Sequence, residues 1–142
     1  MHMYRGVPRT TGLLDYGHVA VGLVALVLAA TFTIFCARHG SWRVYFPWLT
    51  GSLAAVGRDL RGLLRGAVPT SEGGGLFALL EGLLLLATLA AGVTGAAWLL
   101  VQGSTEAVTL RHYHIFAARG MTALLVLHIF AVSLHLLEFI RE

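Results

Sequence analysis

The feature that most constrains this chain is a set of long apolar runs with no formal charge. Val19 to Ala37 is 19 residues, Gly82 to Gly103 is 22 and Gly120 to Leu137 is 18. About 20 apolar residues cross a hydrocarbon core roughly 30 Å thick. With 57% hydrophobic and 12% charged residues among 142, a soluble domain of this size has too much surface for its volume to bury so much apolar area. A fourth run, Val44 to Gly57, has 14 residues. It spans only if its inner end continues into Arg58, Asp59 and Arg61, with their charged heads snorkelling out. Helices are the spanning option, because open strands leave backbone groups unpaired in lipid and the runs lack the alternation of a barrel strand. Asp15 and His18 precede the first run and no small-residue cleavage pattern follows it, so it reads as a retained helix and not as a signal peptide.

The expected fold is therefore all-α: one integral membrane four-helix bundle over residues 1–142, with a single domain and no internal repeat. Its expected spans are Leu13–Ala37, Trp42–Leu64, Leu76–Gln102 and Thr109–Ile140, with Pro47 in the early turns of the second, where a missing N–H costs least. All ten basic residues are arginine. With the N-terminus inside, Arg5, Arg9, Arg58, Arg61, Arg65 and Arg141 face the cytoplasm, and Arg38, Arg43 and Arg111 lie outside. That bias predicts N-in and C-in. The net charge of +3 serves topology, and no nucleic-acid partner is expected. Cys36 stands alone, which excludes an intrachain disulfide and a cysteine-based metal site.

Seven histidines occur in the chain. His18 lies near the start of the first span, and the last span carries His112, His114, His128 and His135. His114, Met121, His128 and His135 recur every seven residues, so they share about one helix face. From His114 to His128 the helix rises about 21 Å, which puts one histidine towards each side of the bilayer. Such a spacing suits b-type haem, which takes axial imidazoles from facing helices. Histidines that hydrogen-bond between helices or line a proton path are the alternative. Gly17, Gly22 and Gly120 lie beside these histidines in sequence and would leave room for a haem edge, as glycines do in ordinary membrane packing.

On the last span, His114-Ile115-Phe116-Ala117-Ala118, then nine residues, then His128-Ile129-Phe130-Ala131 resembles the final helix of cytochrome b subunits of the formate dehydrogenase gamma type. That group belongs to the wider bacterial cytochrome b561 and hydrogenase cytochrome b families. Val93-Thr94-Gly95-Ala96-Ala97-Trp98 is similar to their third-helix motif. Asp15-Tyr16-Gly17-His18 falls where their first-helix ligand sits, and Phe46-Pro47-Trp48 resembles their second-helix His-Pro-aromatic motif. The resemblance implies haem b in a bacterial inner-membrane, multi-pass protein. His18 and His128 match the axial ligands of an inner haem, with His135 an alternative partner for His18. His114 matches one ligand of an outer haem whose second ligand falls at Phe46, which cannot bind iron. One haem per chain is the economical count, and two is the alternative. Arg119, apolar in the family, is a candidate contact for a haem propionate. The segment Glu72-Gly73-Gly74-Gly75-Leu76 stands where the family carries residues associated with quinone.

Glu81 lies inside the third span, where a carboxylate is a candidate for proton or quinone chemistry or reaches the interface. The loops leave no room for a substrate site, so any catalytic subunit is a separate chain. The expected role is electron transfer through haem b between the quinone pool and a partner carrying Fe–S clusters, a c-type cytochrome or a catalytic redox centre. The competing role is a haem-poor membrane anchor or assembly subunit that has lost one or both redox centres. A histidine- and Glu81-lined proton channel is a third possibility.

Overall fold

Helix α1, Leu13–Arg38, starts where the Asp15 carboxylate accepts a hydrogen bond from the Gly12 N–H at 3.3 Å. It ends where His39 donates its backbone N–H to Phe35 at 3.1 Å and Gly40 turns away at φ +73°, a left-handed conformation that suits glycine. The computed structural model describes residues 12–40, 42–50, 53–66 and 74–141. After α1 come α2 (Trp42–Tyr45), α3 (Pro47–Thr50), α4 (Ala54–Leu63), α5 (Leu76–Leu100) and α6 (Glu106–Arg141). All described secondary structure is helical, and α1, α5 and α6 are long and apolar enough to cross a membrane. Their leucines, valines, isoleucines and phenylalanines are largely exposed, as expected where lipid and not protein covers the apolar surface.

The stretch expected as a second span is not one helix. It is broken at Phe46 and again before α4. Pro47 is the sixth residue counted from Trp42, past the first turn, where a proline offers no N–H to the carbonyl four residues back and its ring clashes with it. The residue before a proline is also driven out of the helical region. The chain recovers locally, with Phe46 donating to Trp42 at 2.9 Å and Leu49 to Phe46 at 3.0 Å.

Helix α5 is central and packs against both α1 and α6. Leu26 of α1 meets Gly92, and further along α1 Phe32 reaches Glu81, Leu84 and Leu85, so α1 and α5 run antiparallel. The C-terminal end of α1 and the N-terminal end of α5 therefore share one end of the bundle, and α2–α4 begin and finish there. Two contacts hold that segment to α5. At Gly82 the Tyr45 carbonyl and the Phe46 ring approach so closely that a methyl group has no space. At the helix start, the Asp59 carboxylate accepts the Leu76 N–H at 2.8 Å, capping α5 from another helix because Gly75 has no side chain with which to do it.

Candidate functional site

Because α5 is antiparallel to α1 and is followed by a short turn at Gly103 (φ +90°), α6 returns parallel to α1. That direction decides which histidines meet. His18, near the start of α1, faces His114, near the start of α6, with ring centres 6.0 Å apart and planes at 76°. The expected pairing was His18 with His128; the ring that faces His18 here is that of His114. His128 lies fourteen residues further along α6, at the level of Phe32, which lies fourteen residues beyond His18. The side chain of His135, the alternative partner, lies outside the described residues, as does Glu72.

The His114 imidazole is held in one orientation. Its Nδ1 lies 2.9 Å from the Ala91 carbonyl oxygen, which can only accept, so Nδ1 carries a proton and the neutral form of this ring has its lone pair on Nε2. An imidazole oriented in this way by a backbone carbonyl is prepared to bind a metal through the other nitrogen. Gly95 makes the approach possible: a Cβ there would stand 3.0 Å from ring atoms Cε1 and Nδ1.

The two histidines line a cavity of about 280 Å³ together with Asp15, Gly22, Gly92, Gly95, Trp98 and Arg111. The Trp98 indole nitrogen is buried with no hydrogen-bond partner among the described residues. A buried donor left unpaired costs about 1–3 kcal/mol, which favours a site that receives an acceptor from elsewhere. Two imidazoles sharing one metal from opposite sides, each bonded at about 2 Å, hold their ring centres roughly 6 Å apart. The donor set, the ring separation and the Arg111 cation suited to a carboxylate fit a haem. Among the described residues no three His, Cys, Asp or Glu side chains converge, and two axial imidazoles on a macrocycle need no such cluster.

A second group lies at the other end of the bundle. Tyr45, Glu81, Thr88 and His128 line a cavity of about 370 Å³ with Phe32, Leu84 and Leu85. The His128 Nδ1 is buried without a hydrogen-bond partner among the described residues. Burial first, then the Glu81 carboxylate and the Cys36 thiol, push the Tyr45 phenol above its ordinary value. A carboxylate, an imidazole and a phenol within one apolar wall can exchange protons with a bound molecule.

Other expected site residues fall elsewhere. Arg119 is exposed and lines a groove with His114, Ala118 and Thr122; Arg111, one turn before His114, lines the histidine cavity instead. Phe46 is buried, packs edge-on to Trp48 at 5.3 Å and lines neither cavity. Gly17 and Gly120 face open space, and the close approaches occur at Gly92 and Gly95. Arg111, Trp98 and Tyr45 had no place in the expected site. Arg111 was legible in principle, since residues three apart share a helix face. Tyr45 was not, because its position depends on the break at Phe46. No family model, no curated protein and no solved structure matches the chain.

Proposed function

We propose that this protein is a haem b electron-transfer subunit of a membrane redox complex, with His18 and His114 as the axial ligands. The observation that carries the reading is the facing pair of imidazoles at 6.0 Å, one of them fixed by the Ala91 carbonyl with Nε2 free. Arg111 supplies a cation for a propionate, and Trp98 an indole N–H. A bound haem supplies a one-electron iron couple tuned by its axial ligands and burial. The protein's own share is to hold two neutral imidazoles, exclude water with α5 and keep a carboxylate partner at hand. The resemblance to cytochrome b subunits supports the same role, with quinone and an Fe–S, c-type haem or catalytic redox subunit as partners in a bacterial inner membrane. Glu81, Tyr45 and His128 then form the proton-exchanging end of the bundle, where a quinone headgroup would be served.

Purified protein is expected to show a reduced-minus-oxidised spectrum of low-spin haem b and close to one haem per chain by pyridine haemochrome. The competing reading, a haem-poor anchor, is favoured by Phe46 at the expected ligand position and gives a value near zero. A value of two, lowered to one by loss of a different histidine pair, would overturn the single-site assignment.

We also propose three crossings with the C-terminus inside. Arg38, Arg43, Arg58, Arg61, Arg65 and Arg141 lie at or beyond the α1 C-terminal end of the bundle and Arg111 at the other end, while Arg5 and Arg9 precede α1 in the sequence. This asymmetry supports a cytoplasmic first end and an outer N-terminus. The four-span, N-in reading shares the inner C-terminus but not the outer N-terminus. A reporter active only in the periplasm should stay silent when fused after Glu142 and be active when fused ahead of Met1. Silence at both ends would restore the fourth crossing.

A further inference from the structure

Helix α4 carries two opposed faces that no described residue covers. Arg58, Arg61 and Arg65 recur at i, i+3 and i+7, one stripe of a helix and its C-terminal turn, and all three are exposed. Leu53, Leu60 and Leu64, at the opposite angle, are 51%, 55% and 84% exposed, so no surface among the described residues accounts for them. Asp59, the acid within the helix, is turned to α5, where its carboxylate accepts the Leu76 N–H at 2.8 Å, and so it does not occupy the arginine stripe. That bond also sets the depth of α4. Leu76 is the first residue of a membrane-crossing helix, so α4 is fastened at the level where hydrocarbon gives way to headgroups.

We propose that α4 is an interfacial helix that binds the headgroups of anionic phospholipids. Its arginines meet the phosphates and its leucines enter the acyl region beneath them. A helix with a cationic stripe, an uncovered apolar face and a fixed place at a span's mouth matches this partner in charge and in geometry. The guanidinium group binds phosphate bidentately. Arg38 and Arg43, at the same end of the bundle, extend the field in the same sense. The inference requires only that the chain crosses a membrane and is independent of the haem reading.

The test uses the full chain in neutral detergent, titrated with phosphatidylglycerol or phosphatidylcholine and followed by native mass spectrometry of the retained lipid. Phosphatidylglycerol should be held more tightly than phosphatidylcholine. Changing Arg58, Arg61 and Arg65 together to Gln should weaken it roughly fivefold per arginine removed, with phosphatidylcholine unaffected. The corresponding Lys variant should keep most of the preference. Circular dichroism and the thermal midpoint in lipid-free detergent verify folding; if the triple variant fails there, the single Arg58→Gln and Arg61→Gln variants carry the same fivefold test. Equal retention of the two lipids, or a preference unchanged in the Gln variants, overturns the proposal. So does inorganic phosphate that displaces the lipid at equal concentration, since the leucine face would then contribute nothing.

Discussion

Replacing either His18 or His114 with alanine is expected to remove the same low-spin haem absorbance, while His128→Ala leaves it in place. If both histidines hold the haem, removing either would leave the iron one strong ligand short and the low-spin signal would be lost. The two rings face each other at 6.0 Å, and His112, two residues before His114, lies on the far side of the helix and cannot replace it. His128 lines a different cavity, with Glu81 and Tyr45. The four-span arrangement makes the opposite prediction, in which His128→Ala abolishes the signal and His114→Ala spares it. Reduced-minus-oxidised spectra of the three variants, normalised to protein, decide between them. Retention of the full signal in both His18→Ala and His114→Ala would remove the assignment altogether.

The second large effect is expected at a position without any titratable chemistry. Gly82→Ala places a methyl group against the Tyr45 carbonyl and close to the Phe46 ring. Backbone cannot swing away as a flexible side chain can, so α2 and α3 must lift from α5. Overpacking of this kind costs about 1–3 kcal/mol. It also uncovers Phe46 and Pro47, which are buried in the native protein. Gly17→Ala is the matched control, because its added methyl meets no atom and alanine is the better helix former by about 1 kcal/mol. The thermal midpoint in detergent should fall for Gly82→Ala and hold or rise for Gly17→Ala. Equal midpoints would show that the segment does not pack on α5 as described.

The three long spans were readable from charge-free apolar runs, because length and the absence of charge are local properties that lipid translates directly into helices. The heptad of histidines on α6 was readable for the same reason. Which of them opposes His18 was not, because the answer depends on whether the intervening chain crosses. One residue, Pro47, placed a turn too far inside the expected helix, breaks it at Phe46, and α6 runs parallel to α1 in place of the expected antiparallel direction. His114 then replaces His128 at the level of His18 without any change in spacing. The same event brings Tyr45 beside Glu81 and His128, a juxtaposition that no sequence distance suggests. The orienting contact from His114 to the Ala91 carbonyl was equally hidden, since it rests on a glycine one turn further along α5.

The unequal lengths of the long helices bear on bilayer thickness. At 1.5 Å per residue, the 36 residues of α6 extend about 54 Å and the 26 of α1 about 39 Å, against a hydrocarbon core of roughly 30 Å. The surplus of α6 is taken up by tilt or by projection beyond the headgroups. Arg119 sets the direction of that projection, because a guanidinium at the helix centre costs about 2.5–3.5 kcal/mol and one at the boundary far less. With Leu76 at one boundary, Ala91 and the His114 ring that meets it lie about 22 Å along α5, towards the far side of the core and not at its midplane. A thicker membrane draws Arg119 inward against that cost, so the depth of the histidine pair follows the thickness of the lipid around it.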